Sequence, residues 1–337
     1  MVGARRNFRV TLVLVVGLAC QFLGCGGHGS AVAVAEPETE EPKPELASVE
    51  PALAPWVQSH EAAVRKIFAS TLESNGAMGK LEELCDDIGH RLSGSPQLDQ
   101  AIDWAVEKLK SDGHVNVGKE PVMVPKWVRG EESLELLSPR KESLPVLGLG
   151  WSVGTGPEGV EGEVVVVRDE EELAALGEGA QGKIVLFDNA MPDYHPEHGA
   201  SYGKTVRFRV HGARLASELG AVAVLIRSVT ANSLRTLHTG TMRYGEAKKK
   251  IPAAAVTTED ASFMARLIKR KKKVVVRLKM GARDEGMVPS ANVVAELKGR
   301  THPDEVVVIG GHLDSWDVGQ GAHDDGAGCV MAMEALT

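Results

Sequence analysis

Two hydrophobic rhythms divide the chain. Over 57–112 apolar residues recur at helical spacing, and three helices are predicted, near 57–72, 79–88 and 98–109. The last is the clearest: Leu98, Ile102, Ala105, Val106 and Leu109 share one face, Ser95-Pro96 precedes them and Gly113 follows. These helices are expected to pack on a sheet. Residues 115–128 then alternate in strand fashion. From about 130 to 286 the pattern shortens into β-type runs at 163–167, 183–187, 221–226, 253–256 and 274–278, separated by turn residues and a few helical stretches. A further strand is predicted at 290–297. After a turn at 299–303 comes Glu-Val-Val-Val-Ile-Gly-Gly at 305–311, which reads as a buried central strand forming a hairpin with the one before it. Residues 327–336 are apolar and helical in character. The sum is an α/β chain.

With 337 residues, 43% of them hydrophobic and 25% charged, the chain is ordinary in composition and long enough for two domains. Its net charge of −8 leaves no basic surplus of the kind that binds nucleic acid, and the basic run 269–273 reads as a solvated helix end. The first residues change the picture. Arg5, Arg6 and Arg9 precede the apolar stretch 10–19, the layout of a signal peptide and too short for a membrane span. Phe22-Leu23-Gly24-Cys25 resembles a lipobox with Cys25 as the lipidated residue; Gly17-Leu18-Ala19-Cys20 is a weaker match. Residues 1–25 are thus expected to direct export to the periplasm or cell surface, with a lipid anchor through Cys25 as the one membrane contact. The Pro- and Glu-rich segment 26–56 is expected to be an unfolded tether. Cys85 and Cys329 are expected to stay unpaired.

The candidate chemistry lies where the last predicted strand ends. In His312-Leu313-Asp314 the first and third side chains face the same way at strand spacing. Twelve positions after the histidine, Asp324-Asp325-Gly326 opens the final helix. Each piece alone is commonplace: a His-x-Asp is usually superficial, and an Asp-Asp-Gly is usually a turn or a helix cap. In this order, beyond the carboxyl end of a strand, they place imidazole and carboxylate where an α/β sheet binds ligands, and that pairing suits zinc.

Gly311-His312-Leu313-Asp314-Ser315 with Gly321-Ala322-His323-Asp324-Asp325-Gly326 resembles the co-catalytic di-zinc exopeptidases. Trp316-Asp317-Val318-Gly319-Gln320-Gly321 narrows the likeness to the carboxypeptidase Q-like branch, as do 88–95, 129–133, 147–150 and 278–282; it runs from about residue 56 to the end. The resemblance implies a zinc-exopeptidase mixed-sheet catalytic domain of the phosphorylase/hydrolase-like type, built from 57–129 and 287–337. A β-rich protease-associated insert over 130–286 would interrupt it and overhang the site. His312 would be a terminal zinc ligand, Asp324 would bridge two zinc ions, and the catalytic-site residue Asp314 would orient His312. Asp325 would support Asp324 across a cis peptide. Substrates would be dipeptides or short peptides, cleaved as a carboxypeptidase, dipeptidase or aminopeptidase; homodimers also occur in the family. His323 stands where this branch has an apolar residue.

The same resemblance implies a Glu-Glu pair carrying the general base, a further Asp and a final His, all beyond residue 337. The chain therefore holds two of five ligands and no general base. It is expected to be an incomplete sequence, inactive as it stands. Glu82-Glu83, His195 and His198 occupy the wrong positions to substitute and are read as solvated. Two other functions compete: a non-catalytic surface lipoprotein that binds a ligand through the insert, and a related di-zinc hydrolase such as an aminoacylase, against which 316–321 argues.

Overall fold

The computed structural model describes residues 8–14 and 55–337, with side chains from residue 58 onward. The lipobox with Cys25, and all but the last two residues of the expected tether, lie outside the described residues. β1 (Phe8–Leu14) comes first and α1 (Pro55–Glu73) next. α2 (Gly76–Glu82) runs on into a π-helical turn over Glu83–Ile88, which stops at Gly89 with φ +82°. α3 (Pro96–Ser111) begins as its sequence dictates: the Ser95 hydroxyl accepts from Leu98 N–H and Pro96 sits in the first turn. β2 (Val115–Val128) closes this stretch.

The chain then builds a separate sheet before returning. Its elements are β3 (Glu132–Ser138), β4 (Glu142–Leu144), β5 (Val146–Gly148), β6 (Val160–Val167), α4 (Glu170–Leu176), β7 (Ile184–Phe187), α5 (Tyr202–Thr205), α6 (Arg207–Glu218), β8 (Ala223–Arg227), β9 (Ala253–Val256), α7 (Thr258–Lys269) and β10 (Val275–Met280). The eight strands lie in the order β4-β3-β10-β6-β7-β8-β9-β5. β6, β7, β8 and β9 run parallel to one another. Both faces of such a ribbon must be covered, and they are. Phe208, Ala213 and Ala216 of α6 pack on Val185, Phe187 and Val224, while Ala261, Met264 and Leu267 of α7 pack on Ile184, Leu186 and Leu225. The short apolar runs of the sequence are these strands.

β11 (Arg283–Leu297), β12 (His302–Ile309) and α8 (Ala327–Leu336) complete the chain. With β1 and β2 they form a four-stranded sheet in the order β12-β1-β11-β2. Leu98, Ile102 and Leu109 of α3, with Met333 and Leu336 of α8, bury one of its faces against Val124 and Val293. Lys80 of α2 ties this layer together, 3.1 Å from both Glu334 on α8 and Asp112 at the end of α3. The architecture is mixed α/β, with two sheets.

Three expectations are corrected. β11 and β12 do not form a hairpin, because β1 lies between them, antiparallel to β11 and parallel to β12. The apolar, β-branched residues 8–14 thus appear as a strand, whereas the sequence reading gave them to an export signal; export itself remains a proposal. Among the described residues β12 lies at the edge of its sheet and not at its centre, and Val306 and Val308 are 53% and 61% exposed. Finally, α1 does not pack on the sheet, since its apolar residues Ile67, Phe68 and Leu72 face solvent at 63% or more.

Candidate metal centre

β12 ends at Ile309, and the two glycines after it turn the chain so that His312 and Asp314 stand beyond the strand. The His312 imidazole is held from both sides. Its Nδ1 lies 3.2 Å from Asp314 Oδ1 and 3.0 Å from the Asp314 carbonyl; its Nε2 lies 2.9 Å from Asp324 Oδ1. Asp314 is largely buried behind the ring, whereas the Asp324 side chain is 78% exposed. The Asp314 carboxylate, opposed by burial and assisted by Asp324, pushes the His312 pKa up to about 9.

Asp324 and Asp325 lie in the turn before α8, with non-helical backbone angles at both and a cis peptide between them. Asp325 points inward, where its Oδ2 accepts from His312 N–H at 3.1 Å. Two glycines make room for it. A Cβ on Gly328 would sit 2.1 Å from Asp325 Oδ1, and one on Gly311 would sit 2.5 Å from Oδ2. Asp325 thus fixes the height of His312, and through it the gap to Asp324.

A residue that motif reading missed holds the whole loop. Arg91 is fully buried. Its guanidinium donates to the carbonyls of Leu313 (2.8 Å), Gly89 (2.6 Å) and Gln320 (2.6 Å). Its backbone N–H donates to Ser315 Oγ at 2.9 Å, and Ser315 N–H returns a bond to its carbonyl. Burial lowers its pKa, and among the described residues no carboxylate lies within ion-pair distance. The backbone of 313–321 is therefore organised by one cation. Gly321, with φ +60°, completes the turn at the only kind of residue that fits, since a Cβ there would meet Ser315 at 2.3 Å.

The loop also docks on the second sheet. Arg129 grips Asp317 with two bonds of 2.8 and 2.7 Å. The Trp316 ring lies over Gly150, where a Cβ would come within 2.2 Å of it. Glu132, buried beside this pair, accepts from Gly148 N–H at 2.8 Å, and burial raises its pKa.

The donor geometry fits zinc. Ligand bonds of about 2.0–2.1 Å at a tetrahedral angle put two donors roughly 3.3 Å apart; His312 Nε2 and Asp324 Oδ1, 2.9 Å apart, need only a small opening. Among the described residues no third ligand joins them: the one group of three potential ligand residues is His195, Glu197 and His198, elsewhere on the surface. Glu83, read as solvated, instead accepts from Trp104 and Lys108 on α3 at 2.9 and 2.8 Å. Cys85 and Cys329 are both buried and free.

Residues 292–337 match the model of peptidase family M28, and this stretch contains every residue just described from His312 to Gly328. The chain is 45% identical over 263 residues to bovine carboxypeptidase Q, covering 78% of this chain and 54% of that protein; it thus spans about half the length of the curated relatives it matches. It superposes on the crystal structure of a peptidase M28 precursor from Shewanella amazonensis with TM-score 0.77 and 39% identity, over 82% of this chain and 63% of that one. A zinc aminopeptidase from Bacillus subtilis shares the fold at TM-score 0.55 and 20% identity, over 78% and 56% of the two chains. The chain belongs to peptidase family M28, a family of metallopeptidases. Within that family it is carboxypeptidase Q-like.

Proposed function

We propose that the protein is a zinc-dependent exopeptidase that hydrolyses dipeptides or short peptides outside the cytoplasm. The observation that carries this reading is the His312–Asp324 pair, donor atoms 2.9 Å apart, with Asp314 behind the imidazole. Asp314 accepts the Nδ1 proton and so leaves the Nε2 lone pair for a cation; this also raises the basicity of the ligand. Zinc held there would supply Lewis acidity toward a scissile carbonyl. Asp324, exposed, would face a second cation, giving the two-zinc centre that the sequence motif implies. Catalytic zinc sites use three protein ligands, and His312 with Asp324 make two. Turnover, including its general base, therefore depends on further donors.

The second sheet is read as a protease-associated insert that overhangs this centre and restricts access to short peptides. Its support is the packing of the Trp316 ring on Gly150, just past β5. Export rests on the arrangement of 1–25; among the described residues no helix is long and apolar enough to cross a membrane.

The test is hydrolysis of a dipeptide series by the zinc-loaded protein expressed from its own reading frame, with whatever follows residue 337 included. The expected result is chelator-sensitive cleavage that falls at least about a thousandfold in His312→Ala. Cleavage that survives both chelation and that substitution contradicts the proposal.

A further inference from the structure

We propose that the turn between β7 and α5 is a second, independent metal site, holding a divalent cation of the zinc type between His195, Glu197 and His198. These three residues bring one ligand atom each to within 4.8 Å of the others, and they are the one such trio among the described residues. The two imidazole rings lie face to face, centroids 4.7 Å apart and 17° from parallel.

The backbone that carries them is locked. His195 O accepts from both His198 N–H (3.2 Å) and Gly199 N–H (2.7 Å), while His195 N–H donates back to Gly199 O (3.2 Å). Pro196 fixes φ at the first corner of this turn. Gly199, at φ +66°, closes it in a conformation costly to other residues. Three ligand side chains therefore leave a closed turn whose shape does not depend on a cation. All three are exposed, so drawing them in from 4.8 Å to the roughly 3.3 Å spacing of tetrahedral zinc donors needs side-chain rotation and no backbone change.

The donor set selects the ion. Two imidazoles and a carboxylate suit zinc, cobalt, nickel or copper, and not the all-oxygen preference of calcium or magnesium. Three protein ligands with an open fourth position describe an accessible site rather than a closed structural one. Glu197 N–H donates to His195 Nδ1 at 3.2 Å. Coordination through Nε2 would shift the ring proton to Nδ1 and break that bond, while coordination through Nδ1 would replace the donor with the ion. Either change gives up that hydrogen bond when the ion enters. None of these residues takes part in the peptidase reading, so the two proposals stand or fall separately.

The experiment is a Co²⁺ titration of the metal-free full chain near neutral pH, read by visible absorption and repeated with Zn²⁺ by calorimetry. A His312→Ala/Asp324→Asn variant is expected to keep one saturable class of site. In His195→Ala/His198→Ala that class disappears, and Glu197→Gln weakens it by roughly tenfold or more. Zn²⁺ is also expected to protect the turn from protease cleavage in the parent and not in the double histidine variant. An unchanged titration in His195→Ala/His198→Ala, or loss of this class in His312→Ala/Asp324→Asn, overturns the proposal.

Discussion

The carboxylate of Asp325 shows how narrowly the geometry of the candidate metal centre is determined. It sits between Gly311, Gly328 and the His312 amide. Gly328→Ala should lower zinc affinity at His312–Asp324 about 10–100-fold, the range for displacing a group that orients a ligand. Gly319→Ala, where nothing lies within 4 Å, should leave it unchanged; paired calorimetric titrations check both. Arg91→Ala should cost about 3 kcal/mol or more in urea unfolding, because several buried carbonyls lose their donor at once. Arg91→Lys should recover part of that. The metal-free chain should also sense pH. The His312 pKa is raised in the folded state, so its contribution is full below about 6.5 and fades as pH rises through about 9. The urea midpoint should fall across that window, and this fall should vanish in His312→Ala. The proximity of His312, Asp314 and Asp324 was legible because their relation is local in sequence. Arg91 was not, since it acts on carbonyls more than 220 positions away, and backbone acceptors leave no mark on side-chain identity.

At the level of elements, periodicity named the secondary structure and misjudged its surroundings. The helical repeat of α3 and the short β runs correspond to real elements because intervals of 3.6 and 2 follow from backbone geometry alone. Burial depends on what arrives to cover a face. The Val306–Ile309 run has the apolar content of a central strand, yet among the described residues β12 pairs on one side only and exposes all three of its valines. The hairpin expected of β11 and β12 fails for the same reason: another β-branched segment, β1, fits between them with partners on both sides. Among the described residues the apolar stripe of the amphipathic α1 has no surface against it. Phe68→Ser there should change the thermal unfolding free energy by less than about 0.5 kcal/mol, whereas Ile102→Ala in α3, 3% exposed, should cost about 2–5 kcal/mol. A large loss in the α1 variant would show that its stripe is covered in solution.

Across the whole molecule, the second sheet and the metal loop are mechanically joined. β2 ends and β11 begins on either side of the excursion through the eight-stranded sheet, and Arg129 stands at the first crossing point with its fork on Asp317. Asp317→Ala should speed hydrogen exchange in 315–321 and weaken zinc binding, while amides of β7 and β8, buried on both faces, keep their protection. The changes of rhythm near 130 and 286 fall close to where β2 ends and β11 begins. The joint was not legible, because Trp316 and Asp317 narrowed the family resemblance without showing which partners, Gly150 and Arg129, they meet in space.

The central claim is that His312 and Asp324 hold zinc together. The most direct measurement is the zinc affinity of the metal-free chain as a function of pH, made in the His195→Ala/His198→Ala background so that one centre is read. Zinc must displace the proton on His312. Log affinity should therefore climb by about one per pH unit from neutrality and level off near pH 9, and His312→Ala should abolish the binding. An affinity that is flat across that range, or that survives the loss of His312, would contradict the account.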